Sequence, residues 1–201
     1  RCENLFSLCK KSGKVTAAAA FLWISELYNG TCPFSIYEHR IQNGGGDIDH
    51  GIFYSDCDYP DTHLYADGEY LRKTYDPDFL LIHPMHTDTV GHPSGCASKE
   101  YQESADQSLQ QVAILLERWR GAGYDVIVTA DHGMDELGIH GGNERIQRQV
   151  PLYIISDRVK KGDFTDHEIS NLELAPLVCR ILEIGPGAGM KQEIHIEMEN
   201  K

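Results

Sequence analysis

Two periodicities alternate along the chain. Short apolar runs bounded by turn residues, Phe79 to Ile82 after Asp76-Pro77-Asp78 and Val126 to Val128 between Gly123 and Gly133, read as buried parallel strands. Lys14 to Ala20 reads as a small-residue strand, Phe21 to Tyr28 as a second apolar stretch broken at Gly30, and Val150 to Ser156 as a further strand. Between them, apolar residues recur at three and four positions. Glu3 to Lys11 carries Leu5, Leu8 and Cys9 at that spacing and stops at Ser12-Gly13. Asp61 is the expected cap of a helix to about Thr74, with Leu64, Tyr65 and Leu71 inward. Ser98 caps a longer one to Arg120, whose Tyr101, Ala105, Leu109, Val112, Leu116 and Trp119 share a face, and Gly121 and Gly123 end it. Glu193 to Met198 alternates as an edge strand does. This alternation of strands and helices predicts an α/β layer fold.

From Gly30 to Pro60 the pattern loosens around Gly44-Gly45-Gly46. Asp47, Asp49, His50, Asp56 and Asp58 crowd there, and the reading is a surface loop with solvated charges rather than a metal site. Phe21, Trp23 and Leu27 read as core rather than as the lining of a pocket.

Chemistry gathers where two strands end. In open α/β sheets ligands bind at the carboxyl edge. The run Tyr124 to Val128 leads to Asp131 and His132, with His140 following on a glycine-flanked loop. Phe79 to Ile82 runs into His83, His86, Asp88 and His92. Zinc and manganese accept imidazole nitrogen and carboxylate oxygen, and the D-x-x-x-H spacing of Asp88 and His92 lets both side chains reach one ion across a turn. Asp131 with His132 forms a second pair. His86, two residues before Asp88, points to the opposite face if the strand continues. His63 reads as structural, Thr129 as a hydrogen-bonding support for Asp131, and Asn143, Glu144 and Arg145 as a solvated loop.

FLLIHPMHTDTVGHPSG followed by VIVTADHGMDELGIHGG resembles the alkaline phosphatase superfamily, most closely its type I phosphodiesterase/nucleotide pyrophosphatase branch. The resemblance covers roughly residues 5 to 185. It implies a three-layer α/β/α sandwich with a mostly parallel central sheet, closed by a helix at Leu172 to Ile184 with Pro176 in its first turn. It also implies two divalent metal ions, most often zinc, with manganese an alternative. Asp88, His92 and His140 would hold the ion that activates water, and Asp131 and His132 the ion that activates a Thr or Ser nucleophile. His83 stands where many relatives carry a tyrosine near the substrate. In the family the first metal-binding Asp and the nucleophile come earlier than the region that Arg1 matches. The expectation is therefore a partial catalytic domain over residues 1–201, lacking the first strand and nucleophile helix. The implied substrate is a small phosphodiester or nucleotide pyrophosphate; a phosphomutase, a phosphoethanolamine transferase or a noncatalytic metal-binding remnant are the alternatives.

Composition narrows the partners. With 201 residues and 41% hydrophobic content the chain can bury a single core. A net charge of −13 argues against a nucleic-acid polymer or an anionic membrane surface as partner. No apolar run approaches the roughly 20 residues of a membrane-spanning helix. Six cysteines without a CxxC pair read as free thiols in a reducing, cytoplasmic compartment. Composition carries no signal for oligomeric state.

Overall fold

Four consecutive alanines, Ala17 to Ala20, make the centre of the molecule thin enough for helices to close on it from both sides. In the computed structural model, which describes residues 3–199, they lie in β1 (Thr16–Phe21), every residue of which is buried. Strand β1 pairs in parallel with β3 (His50–Tyr54) on one edge and β4 (Phe79–His83) on the other, and the short β2 (Arg40–Ile41) adds to β3 in antiparallel sense. The order is β2-β3-β1-β4. Strands β5 (Val126–Thr129) and β6 (Leu152–Ile155) form a separate antiparallel pair, so the run Val126 to Val128 is a strand as expected but not a parallel one, and its last residue is exposed.

Alternation along β1 sorts the helices into layers. Ala17, Ala19 and Phe21 face Leu64 and Leu71 of α3 (Asp61–Tyr75), whereas Ala18 and Ala20 face Phe6 of α1 (Leu5–Lys11) and Ile24 and Tyr28 of α2 (Leu22–Asn29). The result is an α/β sandwich around a mainly parallel sheet. Phe53 and Leu64 are almost wholly enclosed, and each such side chain contributes roughly 1.5–3 kcal/mol through lost water contact. Helix α3 comes so close that a Cβ on Gly68 would lie 2.5 Å from Ile82 Cδ1. Helix α5 (Lys99–Gly121), with the Ser98 side chain accepting from Tyr101 N at 3.1 Å, packs Trp119 against Tyr65 and Val126. No helix among the described residues is long and apolar enough to cross a membrane.

Several expectations are corrected. The segment from Gly30 to Pro60 is not all loop: β3 runs through it, buried throughout, and is masked in sequence because His50 and Gly51 leave only three successive apolar residues. His50 stacks on Tyr75 at 3.7 Å, and Asp49 accepts from Thr16 N and Oγ1 and pairs with Lys10, so these groups are internal props rather than solvated charges. The segment after β4 is also helical, as α4 (His86–Ser94), although it offers little apolar periodicity and contains Pro93. Pro60, not Asp61, occupies the N-cap of α3; Asp61 opens its first turn. Trp23, Leu27 and Leu109 are exposed, while Phe21 is buried as expected.

The closing helix is shorter than expected. A 3-10 turn at Asn171–Glu173 precedes α7 (Leu174–Ile181). Glu193 to Met198 forms no strand, only an isolated bridge between Val159 and Met198, with Ile194, Ile196 and Met198 packed on Leu177 and Ile181. Its alternation reflects that one-sided packing, since an irregular segment lying on a helix buries every second residue as an edge strand would. Cys9, Cys32, Cys57, Cys96 and Cys179 are free thiols, and Cys2 lies outside the described residues.

Candidate metal centre

Strand β4 ends at His83, and the chain turns through Pro84 and Met85 into α4. Because this segment is helical, D-x-x-x-H becomes an i, i+4 pair, and one turn of helix sets Asp88 and His92 on the same face. His92 Nε2 lies 3.4 Å from Asp88 Oδ2. From the other direction β5 ends at Thr129 and delivers Asp131 and His132, and the following loop brings back His140, whose Nε2 is 3.6 Å from Asp88 Oδ1. Ligand atoms of Asp88, His92 and His140 all lie within 4.8 Å of one another. His132 Nε2 is 3.8 Å from Asp88 Oδ1, and its ring stacks on that of His140 with centroids 3.9 Å apart.

The imidazoles are oriented from behind. His92 Nδ1 meets the Gly138 carbonyl at 2.9 Å and His132 Nδ1 meets the Gly133 carbonyl at 3.0 Å, so both rings direct Nε2 towards Asp88. A ring nitrogen tied to a carbonyl fixes the tautomer and leaves the other nitrogen free to ligate. Gly138 has φ +75°, and a Cβ there would sit 2.2 Å from His92 O, so the turn tolerates only glycine.

Asp131 pairs on its far side with His83, Nε2 to Oδ2 at 3.6 Å, and with His132 Nε2 at 3.7 Å through Oδ1. The His83 contact, opposed by burial and reinforced by the charge of His132, pulls the Asp131 carboxyl down to about 2. His83 is further fixed by Tyr54, whose hydroxyl donates to the His83 carbonyl at 3.1 Å.

These donors fit a small divalent cation. The two imidazoles approach different oxygens of Asp88, His92 at 3.4 Å from Oδ2 and His140 at 3.6 Å from Oδ1, and one ligand atom from each of the three residues comes within 4.8 Å of the others, a donor set of the kind zinc accepts. Asp88 Oδ1 is buried without a hydrogen-bond partner. A carboxylate oxygen without a hydrogen bond, beside the imidazoles of His132 and His140, is costly unless a cation or proton accompanies it.

Other residues weighed from sequence fall outside this cluster. His86 begins α4 and donates its N–H to Asp61, whose carboxyl burial pushes up. The Thr129 hydroxyl leans on the Ala130 carbonyl, not on Asp131. His63 meets the Tyr59 ring edge-on. Glu144 caps α6 (Arg145–Arg148) and Arg145 pairs with Glu168, so neither is a merely solvated loop residue. The Gly138 carbonyl was not singled out from sequence; the glycine itself, just before Ile139-His140, was the available signal. A cavity of about 360 Å³ opens beside Lys10, Lys14, Asp49 and His50, at the opposite end of the parallel strands from His83. Both its lysines are engaged in ion pairs with aspartates.

Comparison with known proteins agrees with this arrangement of motifs. The model of the family "Type I phosphodiesterase / nucleotide pyrophosphatase" matches residues 9–168. A 2,3-bisphosphoglycerate-independent phosphoglycerate mutase of Haloquadratum walsbyi is 34% identical over 130 residues, 62% of this chain and 25% of that protein. The catalytic subunit of GPI ethanolamine phosphate transferase 3 of Mus musculus is 26% identical over 161 residues, 76% of this chain and 15% of that protein. The chain thus spans a quarter or less of the length of these relatives. Among solved structures, murine ectonucleotide pyrophosphatase / phosphodiesterase 5 is 16% identical with a TM-score of 0.46, covering 66% of this chain and 33% of that one. Since the matched residues contain Asp88, His92, Asp131, His132 and His140 together, the chain belongs to the type I phosphodiesterase / nucleotide pyrophosphatase family of the alkaline phosphatase superfamily.

Proposed function

We propose that the chain carries the metal-binding part of a phosphoryl-transfer site that hydrolyses phosphodiester or nucleotide pyrophosphate bonds in a small-molecule substrate. The observation that supports this most is the convergence of Asp88, His92 and His140 within 4.8 Å, around a carboxylate oxygen that is buried and lacks a hydrogen-bond partner. A divalent ion held there, zinc or manganese, supplies polarisation of a phosphoryl oxygen and a water acidic enough to attack near neutral pH.

In this reading Asp88 contributes the anionic ligand, while His92 and His140 contribute neutral imidazoles whose orientation is set before any ion arrives. Asp131 and His132 would contribute to a second ion site, a weak one when these two residues are its only ligands. Asp131, like any carboxylate, is anionic at neutral pH, and its contacts with His83 and His132 hold its oxygens at the site. His83, on the far side of Asp131, meets the substrate. In this reading the attacking group is a Thr or Ser hydroxyl, and none of the five ligand residues supplies it.

The test is a substrate panel of diesters, monoesters and nucleotides offered to the full-length protein. The reading expects diester or pyrophosphate cleavage that is lost on chelation, restored by zinc or manganese, and abolished by Asp88→Asn or His140→Ala. Undiminished turnover by both variants contradicts it. A second reading, transfer of a phosphoryl-linked group to an alcohol instead of water, is supported by the relatives named as a transferase and a mutase. Partition of product between water and an added alcohol acceptor separates the two. Zinc binding without turnover by the full-length protein supports a noncatalytic metal-binding domain instead.

A further inference from the structure

Gln147 is a buried polar side chain that the site chemistry above does not use, exposed by only 5%. Every hydrogen-bonding group it has is engaged, and all its partners lie in the two loops that carry His132 and His140. Its side-chain amide nitrogen donates to Asp135 Oδ2 at 2.8 Å and to the Ile139 carbonyl at 3.3 Å. Its side-chain oxygen accepts from Glu144 N at 3.2 Å. Its backbone carbonyl accepts from Gly133 N at 2.8 Å. One residue therefore grips the position after His132, the position before His140, and the far end of the His140 loop.

Asp135 completes the clamp. Its Oδ1 accepts from Leu137 N and Ile139 N, both at 2.9 Å, and its backbone N–H donates to the Ile139 carbonyl at 3.0 Å. That turn contains Gly138, whose carbonyl orients His92. The packing leaves no slack: a Cβ on Gly142 would lie 2.2 Å from Gln147 Oε1.

We propose that Gln147, acting through Asp135, is the positioning residue of the metal centre, setting His140 against Asp88 and His92; this rests on the metal-binding reading above. The requirement is chemical. Only an amide provides donors for Asp135 and Ile139 and an acceptor for Glu144 at once. A carboxylate in place of the amide faces the Asp135 carboxylate and the Ile139 carbonyl, three acceptors without a donor among them, and drives the loop apart.

The experiment measures zinc affinity by chelator competition in the folded protein, together with the visible absorption of its Co²⁺ form, which reports ligand geometry and not activity. The variants are Gln147→Glu, Gln147→Leu, the double variant combining Asp135→Asn with Gln147→Glu, and His140→Ala. Loss of a group that orients a metal ligand typically weakens binding about 10–100-fold. That loss is expected for Gln147→Glu and Gln147→Leu, with a changed Co²⁺ spectrum. The double variant exchanges the amide and the carboxylate between the two positions, so that a donor again faces an acceptor between them and the turn N–H groups of Leu137 and Ile139 still find an oxygen, while the Ile139 carbonyl keeps only its bond from the backbone N–H at position 135. It is expected to bind zinc more tightly than Gln147→Glu alone, recovering part of the lost affinity. If Gln147→Leu does not fold, Gln147→Glu against the double variant decides alone. Affinities of the Gln147 variants within about twofold of the unsubstituted chain, while His140→Ala loses binding, overturn the positioning role and leave the metal site standing. Equal, weak binding by the unsubstituted chain and His140→Ala overturns the metal reading and the positioning role with it.

Discussion

Asp88 and His92 stand one turn apart on α4, with Nε2 of the histidine 3.4 Å from Oδ2 of the aspartate, and it is the helix that holds them so. The other oxygen of Asp88 is buried, without a hydrogen-bond partner, and faces His132 and His140. A group retained in that state is poorly used by the metal-free protein. This asymmetry leads to the first prediction.

Asp88→Asn is expected to weaken zinc binding by at least about 100-fold, more than the loss typical of an orienting group. The metal-free variant is expected to be as stable as the unsubstituted chain or more so, because a buried carboxylate oxygen without a hydrogen-bond partner has been removed. Chelator competition and thermal melts in chelator check the two halves. A large loss of stability in the metal-free state contradicts the view that Asp88 is kept for a ligand.

Gly138→Ala is expected to cost about 2 kcal/mol or more. An L-residue at φ +75° is strained by roughly 1–2 kcal/mol, and the new Cβ meets the backbone oxygen of His92, which cannot swing away. Zinc affinity should fall as well, since the Gly138 carbonyl orients His92. Urea denaturation in chelator and zinc competition measure these separately. An unchanged melt shows that the turn is looser than described.

Glu173 governs stability in acid. It is buried, and although burial alone raises its carboxyl pKa, hydrogen bonds from Lys191 Nζ at 2.7 Å, His195 N at 2.6 Å and His195 Nδ1 at 2.8 Å hold it at about 2. The folded value is below the unfolded one of about 4.3. Its stabilising contribution is therefore fully present above about pH 4.3 and is lost as pH falls through about 2. Glu173→Gln is expected to lose roughly 2–3 kcal/mol at neutral pH, with the gap to the unsubstituted chain closing below pH 4. Urea midpoints across that range test it; a gap independent of pH contradicts the ion-pair account.

The 201-residue chain by itself is expected not to hydrolyse bis-p-nitrophenyl phosphate, because none of the residues assigned to the site is a nucleophile. Robust turnover by this chain, abolished by chelation, contradicts that assignment and points to an attacking group within it.

How far the sequence reveals this depends on where the information sits. Strands β4 and β5 were legible in position because continuous apolar runs stand between breakers, and α5 because its apolar residues recur at helical spacing; that β5 pairs antiparallel with β6 was not, since an apolar run carries no information about the sense of its neighbour. Strand β3 was not: His50 and Gly51 spoil its run, and its burial comes from Tyr75 and α3, which no local window contains. Helix α4 was hidden because its nine residues spend their side chains on the site instead of the core, leaving glycine, proline, aspartate and histidine where apolar residues would show the period. The same composition made Asp88 and His92 stand out as chemistry. Conversely, Gln147 and Asp135 carry no ligand character, and only the folded loop shows what they grip.

The most direct test is a zinc-bound crystal structure of the chain, with metal analysis after dialysis. The account predicts one tightly held ion ligated by Asp88, His92 and His140, and a second site at Asp131 and His132 that is weak or empty in this chain. No bound ion, or an ion on other residues with Asp88 turned away from it, contradicts the account.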